Sequence, residues 1–470
     1  MATFRERDTL LLSVSGLAAF WICVRSYRLL FSLHGAAGFD GHYYVLQVDS
    51  ILHNGFPRLH TLTPAAFYLL AIFVRFAGNT ISGIKVAIII GTVCLFVLVG
   101  LAAYKDCGNR WAALAGAILA LTAAPFSYLQ VEFVSTLVGL IAVFCAMLML
   151  TAHLRSRRID SLVLGLGCLL TAALSHMTTA VIALLLLAIF ICHRSARFEW
   201  ISRHCWRNLP RLPTLVLTLT LFAIVVSVCV SRGFHEHILR VHNHLSISDL
   251  ALTYLPLVSA ACALGYLLQP GETEGTEFET SASYVRCFIT LLSAAAVVAA
   301  PLRFLNLGAT INQLTDRAYL LLLPFIGVQV GVYAAKGIRG SQKLLCATCL
   351  LFAVTLLLPS TPPGISYWKT FPTLVDPSKV DKCRLSASDI IVAPHGAEFL
   401  LMSRYGFHAT EFFPKTPKGA SRYLFVSKDR LRINSQEYLC YVDLGGACLT
   451  KEDEYDDEYD DDSANHNGSR

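Results

Sequence analysis

The chain has 470 residues, of which 55% are hydrophobic and only 15% charged, and its mean hydropathy is +0.57. Soluble domains carry about 25% charged residues, so this composition with its repeated long apolar runs excludes an ordinary soluble protein and predicts a polytopic membrane protein. The formal net charge of +6 conceals a split: Glu452–Asp462 holds nine carboxylates in eleven residues, and outside it 38 basic side chains face 23 acidic ones.

The apolar runs are too long for alternating barrel strands, so helices are expected. The N-terminal run, from Thr9 to about Leu33, is too long for a signal-peptide core and reads as a retained first span, Thr9–Leu30. Arg25 and Arg28 lie near its far end, where long side chains can snorkel. Ser32–Thr63 is polar and aromatic and leaves the membrane. Pro64–Ala77 is apolar but short for a hydrocarbon core of about 30 Å, and reads as a segment along the membrane rather than across it. Further spans fall near Ser82–Ala103, Trp111–Ala124, Phe133–Thr151, Ser161–Ser175, Met177–Cys192, Pro213–Ser231, Leu250–Leu268, Arg286–Leu305, Arg317–Ala334 and Leu344–Leu358.

Charge orients them. With the N-terminus inside, three cytoplasmic connections are basic: Arg155, Arg157 and Arg158; Arg194, Arg197, Arg203, Arg207 and Arg211; Lys336, Arg339 and Lys343. This is the positive-inside pattern. It accounts for the basic excess as a topology signal rather than a nucleic-acid surface, so no nucleic-acid partner is expected. The outer face then collects the first loop (32–81), Pro125–Glu132, Ser175-His176, and everything after Pro359.

From Ser360 the composition changes. Asp389–Ala393, Arg422–Ser427 and Glu437–Leu444 read as strands and Glu398–Tyr405 as a helix. The expected fold is an all-α polytopic bundle of about eleven transmembrane helices over residues 1–359, a small extracytoplasmic α/β domain over 360–450, and an acidic tail over 451–470 whose composition cannot bury a core. Most of the fifteen cysteines, such as Cys94, Cys145, Cys168 and Cys229, lie in apolar runs and serve as small hydrophobes. Cys383, Cys440 and Cys448 lie in the polar part, where a disulfide is open.

The candidate chemistry sits beside the outer face. Asp40 follows span one and has two readings: the N-cap of a helix starting at Gly41, or a general base or metal-binding carboxylate. His42, Tyr43, Tyr44, His53 and His60 crowd the same loop. If Tyr44–Ile51 is helical, then Tyr44, Val48, Ile51 and Leu52 form an apolar stripe for the membrane surface. Glu132 opens the fourth span, either as a first-turn carboxylate complementing the helix dipole or as a second functional acid. Ser175-His176-Met-Thr178-Thr179 interrupts an apolar double span, as helix caps or as a contact to donor phosphate or acceptor. Arg317 either snorkels at the outer interface or binds a lipid-linked phosphate. His235, His237, His242 and His244 make an incomplete zinc set, having no cysteine beside them. His395 and Glu398 lack a nucleophile elbow or P-loop, and no Gly-rich nucleotide loop occurs elsewhere.

Asp40, Tyr44 four residues on, and Gly55-Phe56-Pro57 resemble the first-loop motif of the GT-C superfamily of membrane glycosyltransferases. The Tyr44 spacing is similar to aminoarabinose-type lipid A transferases and protein O-mannosyltransferases. Asn54-Gly55-Phe56 resembles oligosaccharyltransferase catalytic subunits. Gly41 departs from the pattern, since the first two families usually place a second acid there.

The resemblance implies an integral protein of the plasma or inner membrane, with a cytoplasmic N-terminus and an extracytoplasmic C-terminal part. It would move a sugar from a polyprenyl-phosphate donor in the bilayer to a hydroxyl of a glycan, lipid or protein. It makes Asp40 and Glu132 the catalytic acids and the ligands of any Mg2+ or Mn2+. His42, Tyr44, His60, His176 and Arg317 would bind donor phosphate or acceptor. A transporter or flippase of a lipid-linked glycan and a non-catalytic scaffold of the same shape are the alternatives.

Overall fold

A computed structural model describes residues 2–193 apart from 34, 39, 60, 62 and 123–125, parts of 321–352, and short stretches between 390 and 449. Pro213–Ser231, Leu250–Leu268 and Arg286–Leu305 lie outside the described residues. Contacts divide the chain into two compact units. One comprises Met1–Phe31, Thr61–Phe73 and Lys85–Gly364; the other comprises Ser32–His60, Val74–Ile84 and Ile365–Arg470.

The first unit is built from α1 (Ala2–Phe31), most of α3 (Ala65–Ala77) and α4 (Thr80–Cys107), then α5 (Arg110–Thr122), α6 (Phe126–Val131), α7 (Val134–Ser156), α8 (Ile159–Ala173), α9 (Met177–His193) and α10 (Leu323–Val332). Among the described residues, three helices are long and apolar enough to cross a membrane: Thr9–Phe31, Thr80–Cys107 and Val134–Ser156, of 23, 28 and 23 residues. At about 1.5 Å per residue each exceeds a hydrocarbon core of about 30 Å. The expected spans at Trp111–Ala124, Ser161–Ser175 and Met177–Cys192 are helices of 13, 15 and 17 residues, and Pro64–Ala77 forms the 13-residue α3. The expected turn at Pro125–Glu132 contains α6, a helix of six residues.

Close packing of small residues organises this unit. α5 is buried continuously from Ala112 to Thr122, because small side chains admit a neighbouring backbone. A Cβ on Gly116 would collide with the Gly327 carbonyl oxygen, and one on Gly327 would lie 2.5 Å from the Ala120 Cβ. Gly331 reaches Ala112 in the same way, at 2.9 Å from its carbonyl oxygen. The spacing Ala112-Gly116-Ala120 against Gly327-Gly331 is the small-residue pattern that draws apolar helices together where lipid removes the hydrophobic drive.

α7 is enclosed on several sides. Gly139 abuts Thr179 of α9, Leu150 abuts Gly165 of α8, and Phe144 stacks on Phe325 of α10 at 4.7 Å. The outer sides of α8 and α9 expose Val163, Leu164, Leu170, Met177, Val181 and Leu184. A contiguous apolar surface of this kind suits lipid and would be a liability in water. The α8–α9 bend also receives α3: the Ala65 N–H donates to the Leu174 carbonyl at 2.9 Å.

The second unit contains α2 (Gly41–Asn54), α11 (Ala397–Tyr405) and a five-stranded sheet. Its strands are β1 (Ile390–Val392), β2 (Ala409–Thr410), β3 (Tyr423–Val426), β4 (Tyr438–Val442) and β5 (Cys448–Leu449), in the order β2-β1-β3-β4-β5. β1 runs parallel to β2 and β3, β3 runs parallel to β4, and β5 is antiparallel. The parallel β1–β2 pair requires a crossover, and α11 lies in it. The register sets Cys448 opposite Val442 rather than opposite Cys440.

The close contact at Gly116 makes a directional prediction. Gly→Ala in a helix interior gains about 1 kcal/mol of propensity, and overpacking costs about 1–3 kcal/mol or more. Gly167 has no atom within 4 Å of a built Cβ, so Gly167→Ala should raise the melting temperature in detergent. Gly116→Ala should lower it by several degrees in the same thermal scan.

Candidate functional site

The first loop is organised by α2. Asp40 occupies its N-cap position at φ −78°, ψ −4°, and its side chain makes no cap hydrogen bond. The helix is held instead by its backbone, with the Tyr44 N–H donating to the Asp40 carbonyl at 3.0 Å. Gly41 follows because space demands it. A Cβ there would stand 2.9 Å from the Ala36 carbonyl carbon and 3.0 Å from its Cβ. The position where a second acid would complete the first-loop motif therefore has no room for a side chain.

The stripe expected to lie on the membrane is covered by protein. Tyr44, Val48 and Ile51 are buried, together with Val45 and Leu46. The rest of the loop folds back onto α2. Gln47, fully buried, donates from Nε2 to the Leu59 carbonyl at 3.2 Å and accepts the Leu59 N–H at 3.1 Å. Ser50 Oγ donates to the Phe56 carbonyl at 2.9 Å. Gly55, at φ 82°, ends α2 in the left-handed conformation with its N–H on the Ile51 carbonyl, a geometry that favours glycine. Asp49 accepts a hydrogen bond from the Thr80 hydroxyl at the start of α4. The Asn54-Gly55-Phe56 motif is thus a helix stop and a return of the chain. His42 is buried, and its Nδ1 shares a 2.9 Å hydrogen bond with Ser403 Oγ of α11. The Tyr43 ring stands 5.1 Å from that of Phe399.

In the other unit, Glu132 lies between α6 and α7 and is buried. Two residues earlier, Gln130 donates from Nε2 to Ser26 Oγ at 2.7 Å and to Thr92 Oγ1 at 2.9 Å, joining α6 to α1 and α4. Arg25 does not snorkel. It is 8% exposed and donates from Nη1 to the Thr122 carbonyl at the end of α5, at 2.5 Å, where the helix terminus offers unpaired carbonyls and favours a cation. Lys85 of α4 is also buried, with Nζ 5.3 Å from the centre of the Phe31 ring, within cation–π reach. Lys85, Gln130, Ser26 and Thr92 were not singled out from sequence. The available signal was a lysine inside an apolar run, since ionisable residues within spans face the protein interior.

His176 acts locally. Its Nδ1 accepts the Thr178 N–H at 3.2 Å and bonds the Thr178 hydroxyl at 2.7 Å, capping α9. Thr179 donates to the Ala172 and His176 carbonyls, and Ser175 donates to Thr171. The polar break between α8 and α9 is therefore satisfied as a turn with caps.

No protein-family model matches this chain, and no curated protein is similar to it. His60, Arg317, the four histidines from His235 to His244 and His395 lie outside the described residues. Asp40, His42 and Tyr44 belong to one compact unit and Glu132 and His176 to the other. Glu398 is buried on α11. Cys346 and Cys349, exposed on the helical stretch 346–352, have a CxxC spacing that sequence reading passed over.

Asp40 and Glu132 each offer the hard oxygen donors that Mg2+ or Mn2+ favours. Among the described residues no three His, Cys, Asp or Glu side chains are grouped as a metal site. With Gly41 closed to a side chain, the first loop does not fit a paired-acid metal cradle. What the residues can do is accept a proton at Asp40, and face negative charge with Arg25 and Lys85.

Gly41→Asp, which would restore the motif on paper, is expected to destabilise the fold. Its thermal midpoint should fall by several degrees, with no gain in metal-dependent stabilisation when Mn2+ is titrated. Gln130→Leu would leave buried hydroxyls of Ser26 and Thr92 without their shared donor, at about 1–3 kcal/mol. That cost should appear as a lower thermal midpoint, whereas Gln130→Glu at low pH retains most of the wild-type stability.

Proposed function

We propose that the protein is a membrane glycosyltransferase of the GT-C type that takes its sugar from a polyprenyl-phosphate donor. The observation that carries the reading is the burial of Arg25 and Lys85 within membrane-spanning helices. Cations are costly there, and the ligand class that rewards them is an anionic headgroup. The supporting sequence feature is Asp40, placed directly after the first span at the N-cap of α2.

The architecture that belongs to this reading is a bundle of about eleven spans over residues 1–359, with a cytoplasmic N-terminus. An outer α/β domain over 360–450 and the acidic tail follow. The membrane would be a plasma or inner membrane.

The reaction is a displacement. Asp40 takes the proton of an acceptor hydroxyl on a glycan, lipid or protein. The hydroxyl oxygen bonds to the anomeric carbon as the bond from that carbon to the phosphate oxygen breaks, and polyprenyl phosphate leaves with the electron pair, with inversion. Arg25, Lys85, Arg317 and His176 are the groups assigned to the phosphate charge, and Glu132 is the second acid. A general base and cationic stabilisation suffice for this chemistry, and no step passes through a Mg2+ or Mn2+ ion at Asp40 or Glu132.

The test is sugar release and transfer from a labelled polyprenyl-phosphate sugar by the purified full-length protein. Asp40→Asn should lower the rate about 10²–10⁴-fold, the range for a general base, at unchanged protein level. Full activity removes Asp40 from the reaction. Arg25→Gln should raise the donor KM at least about tenfold, as for a lost charge-assisted hydrogen bond. Movement of the intact donor across vesicles without bond cleavage would replace this reading by a transporter.

A further inference from the structure

The loop that carries Asp40 is held by a residue more than three hundred positions away. His42, two residues past Asp40, is 3% exposed, and the 2.9 Å bond from its Nδ1 to Ser403 Oγ spans a sequence separation of 361. A buried imidazole with one nitrogen so engaged has its ring orientation fixed, and its tautomer is set by the direction of that bond. The Nε2 edge faces the chain at Gly35, where φ is +82° and a Cβ would lie 3.5 Å away. The next residue, Tyr43, meets Phe399. Phe399 and Ser403 are four apart on α11 and share one face, so two consecutive residues of α2 meet two neighbouring residues of one helical turn. Leu401 is fully buried on the same helix and Glu398 nearly so.

We infer that Ser403 is a positioning residue for the first loop, fixing α2 through His42 so that Asp40 is presented at the N-cap in one orientation. The catalytic part of the inference rests on the glycosyl-transfer reading above. α11 is then part of the machinery that aims Asp40. Misplacement of a reacting group by about 1 Å costs as much as 10²-fold in rate, so a loosened clasp is felt in turnover.

Two measurements on the full-length protein test this. In the transfer assay, Ser403→Ala should lower kcat about tenfold with the donor KM unchanged, as for an interaction that acts on geometry rather than on ground-state binding. Ser403→Thr, which keeps the hydroxyl, should recover most of the rate. His42→Ala should cost about as much as Ser403→Ala, and the double variant no more than either, because both remove one clasp. Wild-type turnover in Ser403→Ala, or additive losses in the double variant, would overturn the inference. The second measurement needs no activity. Amide hydrogen exchange across residues 41–54 should quicken at least about tenfold in Ser403→Ala, as local opening becomes easier. Unchanged protection overturns the clasp whatever the enzyme does. If Ser403→Ala does not fold, Ser403→Cys, of similar volume and weaker hydrogen bonding, carries the same readouts. A wild-type protein inactive on polyprenyl-phosphate sugars would sink the glycosyl-transfer reading while leaving the exchange result to judge Ser403.

Discussion

A polar side chain buried among membrane-spanning helices has no water to fall back on, and Gln130 meets that constraint with two hydroxyls at once. Its amide nitrogen serves Ser26 on α1 and Thr92 on α4, and the Thr92 hydroxyl passes its own proton to the Ile88 carbonyl. α6 has six residues, too few to be helical alone in water, where about a dozen are needed. It is held as a strap between two long helices, and Glu132 is placed by the strap. Arg25, beside Ser26, reaches the last turn of α5. Each neutral bond contributes only about 1 kcal/mol net. The larger effect is on register, since a helix slipped by one residue would strand every one of these groups.

Around that polar locus, glycine and alanine do what large apolar side chains do in a soluble core. Lipid tails are as apolar as leucine, so helices associate through close approach. Gly116 against Gly327, Gly139 against Thr179 and Gly165 against Leu150 are three such approaches. They explain how α5, at 13 residues, persists in the bundle while buried on every side. They also restrict what the chain can vary, because each contact has backbone or a packed side chain opposite it.

The helices were legible and their neighbours were not. Apolar runs show where α1, α4, α7, α8 and α9 lie, because backbone groups in lipid must pair within their own segment. The break at Ser175-His176 is equally plain, since its serine, histidine and threonines satisfy one another locally. Nearly uniform hydrophobicity, however, hides which face of α7 meets protein and which meets lipid. For Gln130 the partners are 104 and 38 residues away, and for His42 the partner is 361 away. No local pattern encodes such pairings. The stripe on α2 shows the same difficulty: periodicity marks Tyr44, Val48 and Ile51 as an apolar face, but not whether lipid or protein covers it.

Gly41 is where fold and resemblance bear on each other. A second acid next to Asp40 would give the first loop two adjacent carboxylates, an arrangement suited to a hard divalent ion. Ala36 occupies the space that acid would need, so the loop carries one carboxylate at the N-cap and, two residues on, an imidazole locked to Ser403. One carboxylate beside an oriented imidazole is poorly furnished for holding Mg2+ and well furnished for moving a proton. The exchange of an acid for glycine therefore favours Asp40 as a base over Asp40 as a metal ligand. It ties that role to the backbone approach that excluded the second acid.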